Sequence, residues 1–422
     1  MSTIHAALVA VAVLLGVAAP GRATEPVSLD DAFARVLAGH PDLEALHYAT
    51  TGLEAEAESA AQKPAFALVA DLENAPGGGQ AAGFGRAEAT LSLASVLERG
   101  GKRQARMALA LTRLDGIELL REGKRLDLLA EVARRYLDAV AAKAETALAQ
   151  EDAVQRRTIL AAVEKRVAAG GVPVSLNLGA EAAALRSEAD AARAQRRVIA
   201  ALRRLALLWG GSGDIELASF NTSILPAVPE YEEAVTQLAQ SPELRRFAHE
   251  ARLREARLRL AQTAKTPDVA WQFGVRRLQE ERDFGLVGSV SIPLGSTIRA
   301  APELRAAQAE LAALDLQREG EQRALEATLA QAWSQLDQSV AIARELDEKL
   351  LPQLQRAEAA AGRSFRAGAS DYLTWAQFQT DVLQARRERL AAALDAQRAL
   401  IELQRLTGRA FSAAADMQES TP

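Results

Sequence analysis

The sequence predicts a mainly α-helical protein with a small β part, built from one unit that occurs twice. Two segments of equal length, 165–210 and 363–408, follow the same plan in the same frame. Each has a glycine break near its start and then a long helical run to a closing glycine, where a helix C-terminus is expected. Another long helical run precedes each break. Each unit therefore contains a helical hairpin whose turn lies near Gly170 or Gly368, and such a repeat largely decides the architecture.

Composition favours long helices and excludes several functions. Aromatic residues make up 4% of the 422 residues, the net charge is −5, and no basic stretch is interleaved with aromatic residues. Abundant small residues favour closely packed helices, and an acidic chain of this kind is not expected to bind nucleic acid. The absence of cysteine excludes disulfides, thiolate metal sites, cysteine nucleophiles and a lipid-bearing N-terminal cysteine.

Residues 1–23 are predicted to be a secretory signal peptide. An apolar run extends from Ala6 to Ala19, and Gly21 and Ala23 place small residues before a cut ahead of Thr24. An uncleaved membrane anchor is the alternative, because the segment before the apolar run lacks Lys and Arg. No later segment reaches the roughly 18 apolar residues that a spanning helix needs. The mature protein is therefore expected to be exported without a helical span.

The repeat divides the rest of the chain into two similar halves. The first repeat is predicted over 24–210 and the second over 230–408. A linker without helical period lies between them at 211–229, and a C-terminal tail follows at 409–422. Each repeat opens with a short helix, a break marked by a proline, and a second helix that stops before another proline.

Four β-strands are predicted where the period of apolar residues changes from helical to two, at about 65–73, 87–94, 268–276 and 284–293. They form one hairpin in each repeat. One face of each strand is apolar, and the other is small and polar. The apolar face includes Phe66, Leu68, Leu91, Leu93, Trp271, Phe273, Val290 and Ile292.

Two interpretations of these strands stay open on periodicity alone. They form either a small sheet lying on the helices or a lipid-facing barrel wall whose polar side faces a water-filled lumen. Four strands cannot close a membrane barrel, for which about eight is the practical minimum. An open edge in lipid would also leave backbone groups unpaired. If the strands span a membrane, several chains must share one barrel, and three chains would contribute 3 × 4 = 12 strands.

Each strand pair leads into a very long helix. The stretch 102–168 has no proline and would extend roughly 100 Å as one helix. Its counterpart is predicted over about 302–365, with Pro302 in the first turn. A kink or break is expected near Leu350, because Pro352 follows it. Charged residues along these helices form either a solvated face or the wall of a channel lumen.

The sequence contains no catalytic or cofactor-binding constellation. The histidines outside the signal are His40, His47 and His249, and Pro41 interrupts the helix between the first two. Capping or solvated histidines are therefore a better interpretation than a metal-binding pair. The serine-hydrolase elbow, the zinc-peptidase motif and the phosphate loop do not occur. No enzymatic activity, cofactor or metal site is predicted.

A helix pair, a strand hairpin and a long helical hairpin, occurring twice behind an export signal, resemble the outer membrane efflux protein (TolC) family over nearly the whole mature chain. More specific matches are LENAP at 72–76, LSL at 91–93, LERGGKR at 97–103, LLP at 350–352, and FRAG at 365–368 with YL at 372–373. The LERGGKR junction between strand and helix looks like that of the heavy-metal efflux subgroup typified by CzcC.

This resemblance implies a homotrimer in the outer membrane of a Gram-negative bacterium, with a 12-stranded β-barrel continued by a periplasmic α-barrel. The trimer would be the passive exit duct of a tripartite system that exports heavy-metal cations. Its partners would be a periplasmic adaptor (membrane fusion) protein and an inner-membrane resistance-nodulation-division pump. The two glycine turns would form the periplasmic tip where the adaptor docks. The implied docking residues are Val167, Gly170, Val174, Arg366, Gly368 and Tyr372.

One departure from the family concerns the narrow end of the duct. Some relatives carry acidic residues six and nine positions after the second glycine, but Thr374 and Gln377 stand there in this chain. Asp371 and Asp381 are nearby substitutes, and these four residues are the candidate tip constriction. Trp375 is expected to pack between neighbouring helices rather than to narrow the opening.

A second class of function stays open, namely a soluble periplasmic coiled-coil scaffold or adaptor with the strands as an accessory sheet. Adaptors usually carry one hairpin together with β-rich domains, whereas this chain has two hairpins in register. The exit duct is therefore the preferred prediction.

Overall fold

The computed structural model describes residues 26–76, 78–79 and 83–411. The predicted signal peptide and most of the predicted tail lie outside the described residues. The structure is mainly helical with one small antiparallel sheet, which confirms the predicted fold class at this level. Within the described ranges, no helix has both the length and the apolar character that a membrane crossing requires.

Both halves follow the same order of helix pair, strand pair and long helical hairpin. The first half contains α1 (Leu29–Gly39), α2 (Pro41–Ala61), β1 (Ala67–Glu73), β2 (Glu88–Leu97), α3 (Lys102–Asp115), α4 (Ile117–Ala168) and α5 (Val174–Ala206). The second half contains α6 (Tyr231–Leu238), α7 (Pro242–Thr263), β3 (Val269–Leu278), β4 (Asp283–Ser291), α8 (Ser296–Glu345), α9 (Leu351–Arg366) and α10 (Tyr372–Thr407).

The two predicted strand hairpins join into one antiparallel sheet in the order β1-β2-β3-β4. β2 and β3 come from different halves and pair along their whole lengths. Gly274 permits their close approach, because a Cβ at this position would lie 2.5 Å from the carbonyl oxygen of Leu91. The sheet therefore holds the two halves together, and β1 and β4 are its edges.

The helix predicted over 102–168 is wrong as one continuous element, because it is interrupted at Gly116. α3 ends at Asp115 and α4 begins at Ile117. The ring of His249, on α7, lies so close that a Cβ on Gly116 would be 2.3 Å from its Nε2 atom. A glycine weakens a helix interior, and here it also makes room for a buried side chain from another helix.

The second long helix also differs from its prediction. It begins at Ser296, so Pro302 lies in the second turn of α8 and not in the first. Gly295 adopts a left-handed conformation just before the helix, and the Ser296 hydroxyl donates to the Lys265 carbonyl, which together start the helix early. The break expected near Leu350 is present as a π-helical segment over Leu346–Leu350. Pro352 lacks the backbone N–H that would continue the regular α-helical hydrogen-bonding pattern there.

The long helices pack in antiparallel pairs through small side chains. α4 lies mainly against α5, and α8 lies mainly against α10. The buried face of α4 is rich in alanine, as at Ala130, Ala133 and Ala139. Small side chains allow the helix axes to approach closely, which is consistent with the low aromatic content.

An ion-pair network at one end of the hairpins connects α10 with α4 and α7. The Arg405 guanidinium lies 2.8 Å from Glu402, 3.3 Å from Glu243 and 3.5 Å from Asp127. Arg134 lies 2.8 Å from the other oxygen of Glu402. Burial alone would raise the pKa of Glu402, but hydrogen bonds and positive charge from Arg405 and Arg134 outweigh it and hold this pKa below its ordinary value.

Candidate functional site

The two hairpin turns are built in the same way. Gly170 and Gly368 have φ angles of 72° and 78°, the left-handed conformation that favours glycine. The Gly171 N–H donates to the Arg166 carbonyl, and the Ala369 N–H donates to the Ser364 carbonyl. The Gly170 N–H donates to the Val167 carbonyl, and the Gly368 N–H donates to the Phe365 carbonyl. Together these bonds close each helix with a Schellman motif. The repeat seen in the sequence is therefore also a repeat of turn geometry.

A cluster of apolar side chains, the tip cluster, fixes the two turns against each other. The Phe365 ring stacks on Trp375 with the ring centroids 5.3 Å apart, and Tyr372 meets Phe365 edge-on at 6.2 Å. The other buried side chains of this cluster are Ile159 and Val163 from α4, Ala180 from α5 and Ala361 from α9. Both hairpins contribute to one core, so the positions of the two turns are coupled.

Trp375 packs between helices, as the sequence predicted. Its ring is buried, and its indole N–H donates to Glu358 at 2.8 Å. Gly362 allows α9 to approach the ring, because a Cβ there would lie 3.0 Å from the indole nitrogen. The ring is thus a support for the turn after Gly368.

The six residues implied for adaptor docking do not form a single surface. Gly170, Val174, Arg366 and Gly368 are exposed, and 63% of Val174 is accessible. Val167 is half-buried and packs against the tip cluster. Tyr372 is only 6% exposed. The four exposed residues can meet a partner, whereas Val167 and Tyr372 hold the turns in place.

The candidate constriction residues are near one another but have distinct local roles. Asp371 caps α10, since its carboxylate accepts from the Thr374 N–H at 2.8 Å. That hydrogen bond, helped by the Thr374 side chain, keeps the pKa of Asp371 below its ordinary value. Gln377 donates to Asp381 at 2.8 Å. The two carboxylates therefore each have a local partner within one chain.

The polar face of the sheet carries a connected set of charges. The Arg276 guanidinium lies 3.1 Å from Glu73 and 2.8 Å from Glu88, and its Nε donates to the Thr90 hydroxyl at 3.0 Å. These partners come from β1 and β2, so Arg276 links three strands across this face. Because it carries charged and polar side chains, this face of the sheet is suited to contact with water.

The opposite, apolar face is exposed in the single chain. Leu68 is 73% exposed and Leu286 is 75% exposed. Trp271 is half-buried, because its ring packs edge-on against Phe66 at 6.2 Å. The strand register places six of the eight residues predicted for this face on it, namely Leu68, Leu91, Leu93, Trp271, Phe273 and Val290, together with Leu72, Val275, Phe284 and Leu286. Phe66 lies just before β1 and packs on the Trp271 ring, and Ile292 lies just beyond the end of β4. The sheet is therefore amphipathic, with its apolar side uncovered.

Two glycines and two ion pairs shape the junction between β2 and α3. Gly100 and Gly101 both have positive φ, and a Cβ on Gly100 would lie 2.7 Å from Thr266. Lys102 lies 2.7 Å from Asp268, whose other oxygen accepts from the Arg99 N–H at 3.1 Å. Glu98 and Arg106 form the second ion pair. This geometry explains why the LERGGKR sequence has two glycines flanked by charged residues. The sequence around Asp268, in contrast, does not indicate that this residue takes part in the junction.

The described residues contain no group of three or more side chains that could hold a metal ion. His40 acts as a helix cap, because its Nδ1 accepts from the Asp42 N–H at 3.2 Å. His249 is buried against the helix break at Gly116. His40 and His249 therefore serve the fold.

A duplicated helical hairpin joined to a small amphipathic sheet is the fold of outer-membrane efflux channels. The structure superposes on CusC with a TM-score of 0.76 and 18% identity, covering 91% of this chain and 92% of CusC. It superposes on VceC of Vibrio cholerae with a TM-score of 0.73 and 18% identity, covering 91% of this chain and 97% of VceC.

The chain belongs to the outer membrane efflux protein family, whose sequence model matches residues 33–211 and 235–409. It is 28% identical over 322 residues to the cobalt-zinc-cadmium resistance protein CzcC of Cupriavidus metallidurans, covering 74% of this chain and 75% of that protein. It is 28% identical over 276 residues to the nickel-cobalt-cadmium resistance protein NccC of Alcaligenes xylosoxydans xylosoxydans, covering 64% and 62%. The resemblance identified from the sequence is confirmed.

Proposed function

We propose that this protein forms a trimeric exit duct in the outer membrane of a Gram-negative bacterium and passes heavy-metal cations without chemistry of its own. The observation that carries the proposal is the exposed apolar face of a sheet with two open edges. The family to which the chain belongs and the efflux-channel fold support it.

The dimensions of the sheet suit a membrane. β2 and β3 each have 10 residues, close to the roughly 9–11 residues of a tilted transmembrane strand. Aromatic side chains lie near both ends of the apolar face, with Phe66 and Trp271 at the helix end and Phe284 at the loop end. Transmembrane barrels carry such aromatic girdles at both interfaces.

The open edges require further copies of the chain. β1 and β4 each pair on one side only within the described sheet. In lipid, each unpaired backbone group costs several kcal/mol, so the sheet must close. Three copies supply 12 strands, and their edge pairing would place the apolar faces outward and the Arg276 network inward.

The glycine turns join the two helices of each long hairpin, and we assign them to the docking of a periplasmic adaptor. Val174 and Arg366 offer an exposed apolar and an exposed cationic contact beside Gly170 and Gly368. An inner-membrane resistance-nodulation-division pump would complete the tripartite system. The assignment of heavy-metal cargo rests on the names of the relatives, CzcC and NccC.

Cell fractionation and cross-linking test the duct itself. The full-length protein is expected in the outer-membrane fraction, soluble only with detergent, and cross-linked as a trimer. A monomer in the soluble periplasm would instead support the scaffold or adaptor alternative. The cargo is tested separately, because a deletion strain is expected to lose tolerance to cobalt, zinc or cadmium. Unchanged tolerance to these ions would reject the cargo but not the duct.

A further inference from the structure

Arg277 is an exception on the apolar face of the sheet. It stands opposite Ala89 of β2 and Phe284 of β4, on the same side of β3 as Phe273 and Val275. Across the four strands of the described sheet, it is the only charged residue on this face. The rest of this face is suited to lipid, so the presence of a charged side chain at this position requires an explanation.

The preceding residue, Arg276, is an arginine whose charge is balanced by partners within the sheet. Arg276 points to the polar face and reaches Glu73, Glu88 and Thr90. Arg277 has no ion pair and no side-chain hydrogen bond within the described part of the chain, and its side chain is exposed. The two adjacent arginines therefore have different environments, and only Arg276 has its charge balanced by the protein.

Arg277 lies at the loop end of the apolar face. Its guanidinium is 6.0 Å from the centroid of the Phe284 ring, which supports the side chain through a cation–π contact. In the adjoining turn, Glu280 is already engaged by Arg86 at 2.9 Å. The donors of the Arg277 guanidinium therefore remain available to an anion that approaches from outside the sheet.

We propose that Arg277 binds a phosphate group of lipopolysaccharide in the outer leaflet. This inference rests on the proposed function, which places the apolar face in lipid and the helical hairpins in the periplasm. The loops between the strands, at the end of the sheet away from the helices, would then lie at the outer surface. An arginine near the end of a lipid-facing strand can lay its aliphatic stem along the apolar surface and extend its charged head to the interface. The planar guanidinium matches the geometry of phosphate oxygens. Lipopolysaccharide is the outer-leaflet lipid, and its lipid A moiety carries phosphates.

Native mass spectrometry of the full-length trimer in detergent tests this assignment. The protein is titrated with lipid A and with the same lipid after enzymatic dephosphorylation. Wild type is compared with Arg277→Gln, Arg277→Lys and Arg318→Gln, the last of which removes an exposed charge from α8. One cation near a membrane surface corresponds to about a fivefold change in affinity. We expect Arg277→Gln to weaken lipid A binding by about this factor, Arg277→Lys to retain part of the binding, and Arg318→Gln to match wild type.

Two results would overturn the assignment. One is equal binding of the phosphorylated and dephosphorylated lipid by wild type. The other is unchanged lipid A binding by Arg277→Gln. This result would mean that the Arg277 side chain contacts Phe284 but does not bind the lipid phosphate. In either case a wild-type trimer that still fractionates with the outer membrane keeps the duct proposal intact. A wild-type protein that neither forms trimers nor enters the membrane fraction would instead reject the duct.

Discussion

The guanidinium of Arg166, at the end of α4, lies 4.5 Å from the centroid of the Phe365 ring, at the end of α9. This contact joins the turn of the first hairpin to the turn of the second. A cation over an aromatic face is stabilised by the ring quadrupole. The two turns are therefore coupled, and the adaptor proposed to dock there would meet them as one unit.

Loss of the Phe365 ring is expected to loosen both turns. The ring is 2% exposed, and truncation of such a side chain costs about 3–5 kcal/mol. Hydrogen exchange of the amides in 166–174 and 364–372 should become faster in Phe365→Ala, while exchange near the sheet stays unchanged. Arg166→Gln should have a smaller effect in the same direction, because it removes only the cation–π contact. Arg363→Gln, at an exposed neighbouring position, is the control and should leave both turns protected.

Substitution of Gly368 by valine is expected to disturb adaptor docking. The residue has φ of 78°, and a side chain in this conformation costs about 1–2 kcal/mol. Co-purification of the adaptor and tolerance to metal ions should both decrease. Gly320→Val is the matched control, since Gly320 lies inside α8 with no atom close to its Cβ position. Normal adaptor binding by Gly368→Val would remove the docking role assigned to this turn.

The turns and the strands could be predicted because their signals are local. A Schellman turn requires a residue with positive φ, so Gly170 and Gly368 mark it in the sequence. Alternation of apolar and polar residues likewise identified the faces of the strands. Four strands are too few to close a membrane barrel, so the sequence already indicated that several chains must share one barrel if the strands span a membrane.

Other features depend on contacts between residues far apart in the chain. The break at Gly116 exists because His249 occupies the space beside it, and no local pattern connects the two. The burial of Tyr372 depends on Phe365 and on side chains from α4. The family resemblance implied a docking role for Tyr372, but neither the resemblance nor the periodicity shows which helix covers this side chain.

Gly116→Ala is expected to destabilise the protein even though alanine favours helix. Alanine gains about 1 kcal/mol over glycine in a helix interior, but its Cβ would lie 2.3 Å from the His249 ring. The unfolding temperature of the detergent-solubilised protein should decrease. Gly123→Ala, in open space on α4, should raise it or leave it unchanged. The double variant Gly116→Ala/His249→Ala should recover stability relative to Gly116→Ala, and failure to recover would show that the ring is not the obstacle.

The network around Glu402 predicts a specific loss of stability in acid. Because the folded-state pKa of Glu402 lies below its ordinary value of 4.5, its contribution is fully present above that value and is lost as the pH falls through the folded-state pKa. Glu402→Gln should unfold at a lower temperature than wild type at neutral pH, with a difference that shrinks as the pH falls below 4.5. Glu54→Gln, at an exposed carboxylate on α2, should show no such trend. A pH-independent difference for Glu402→Gln would assign the effect to packing.

A lysine is expected to be disruptive on the apolar face of the sheet and tolerated on the polar face. Leu91 is on the apolar face of the central strand β2, and Ser289 is on the polar face of β4. A lysine in the lipid-facing middle of a membrane barrel costs about 2–4 kcal/mol, whereas a lysine that faces a water-filled lumen stays hydrated. Leu91→Lys should therefore reduce the amount of trimer in the outer membrane, and Ser289→Lys should accumulate as wild type does. Heat-modifiable mobility of the trimer in gels measures both. If Leu91→Lys instead accumulates as a trimer at the wild-type level, the apolar face does not meet lipid.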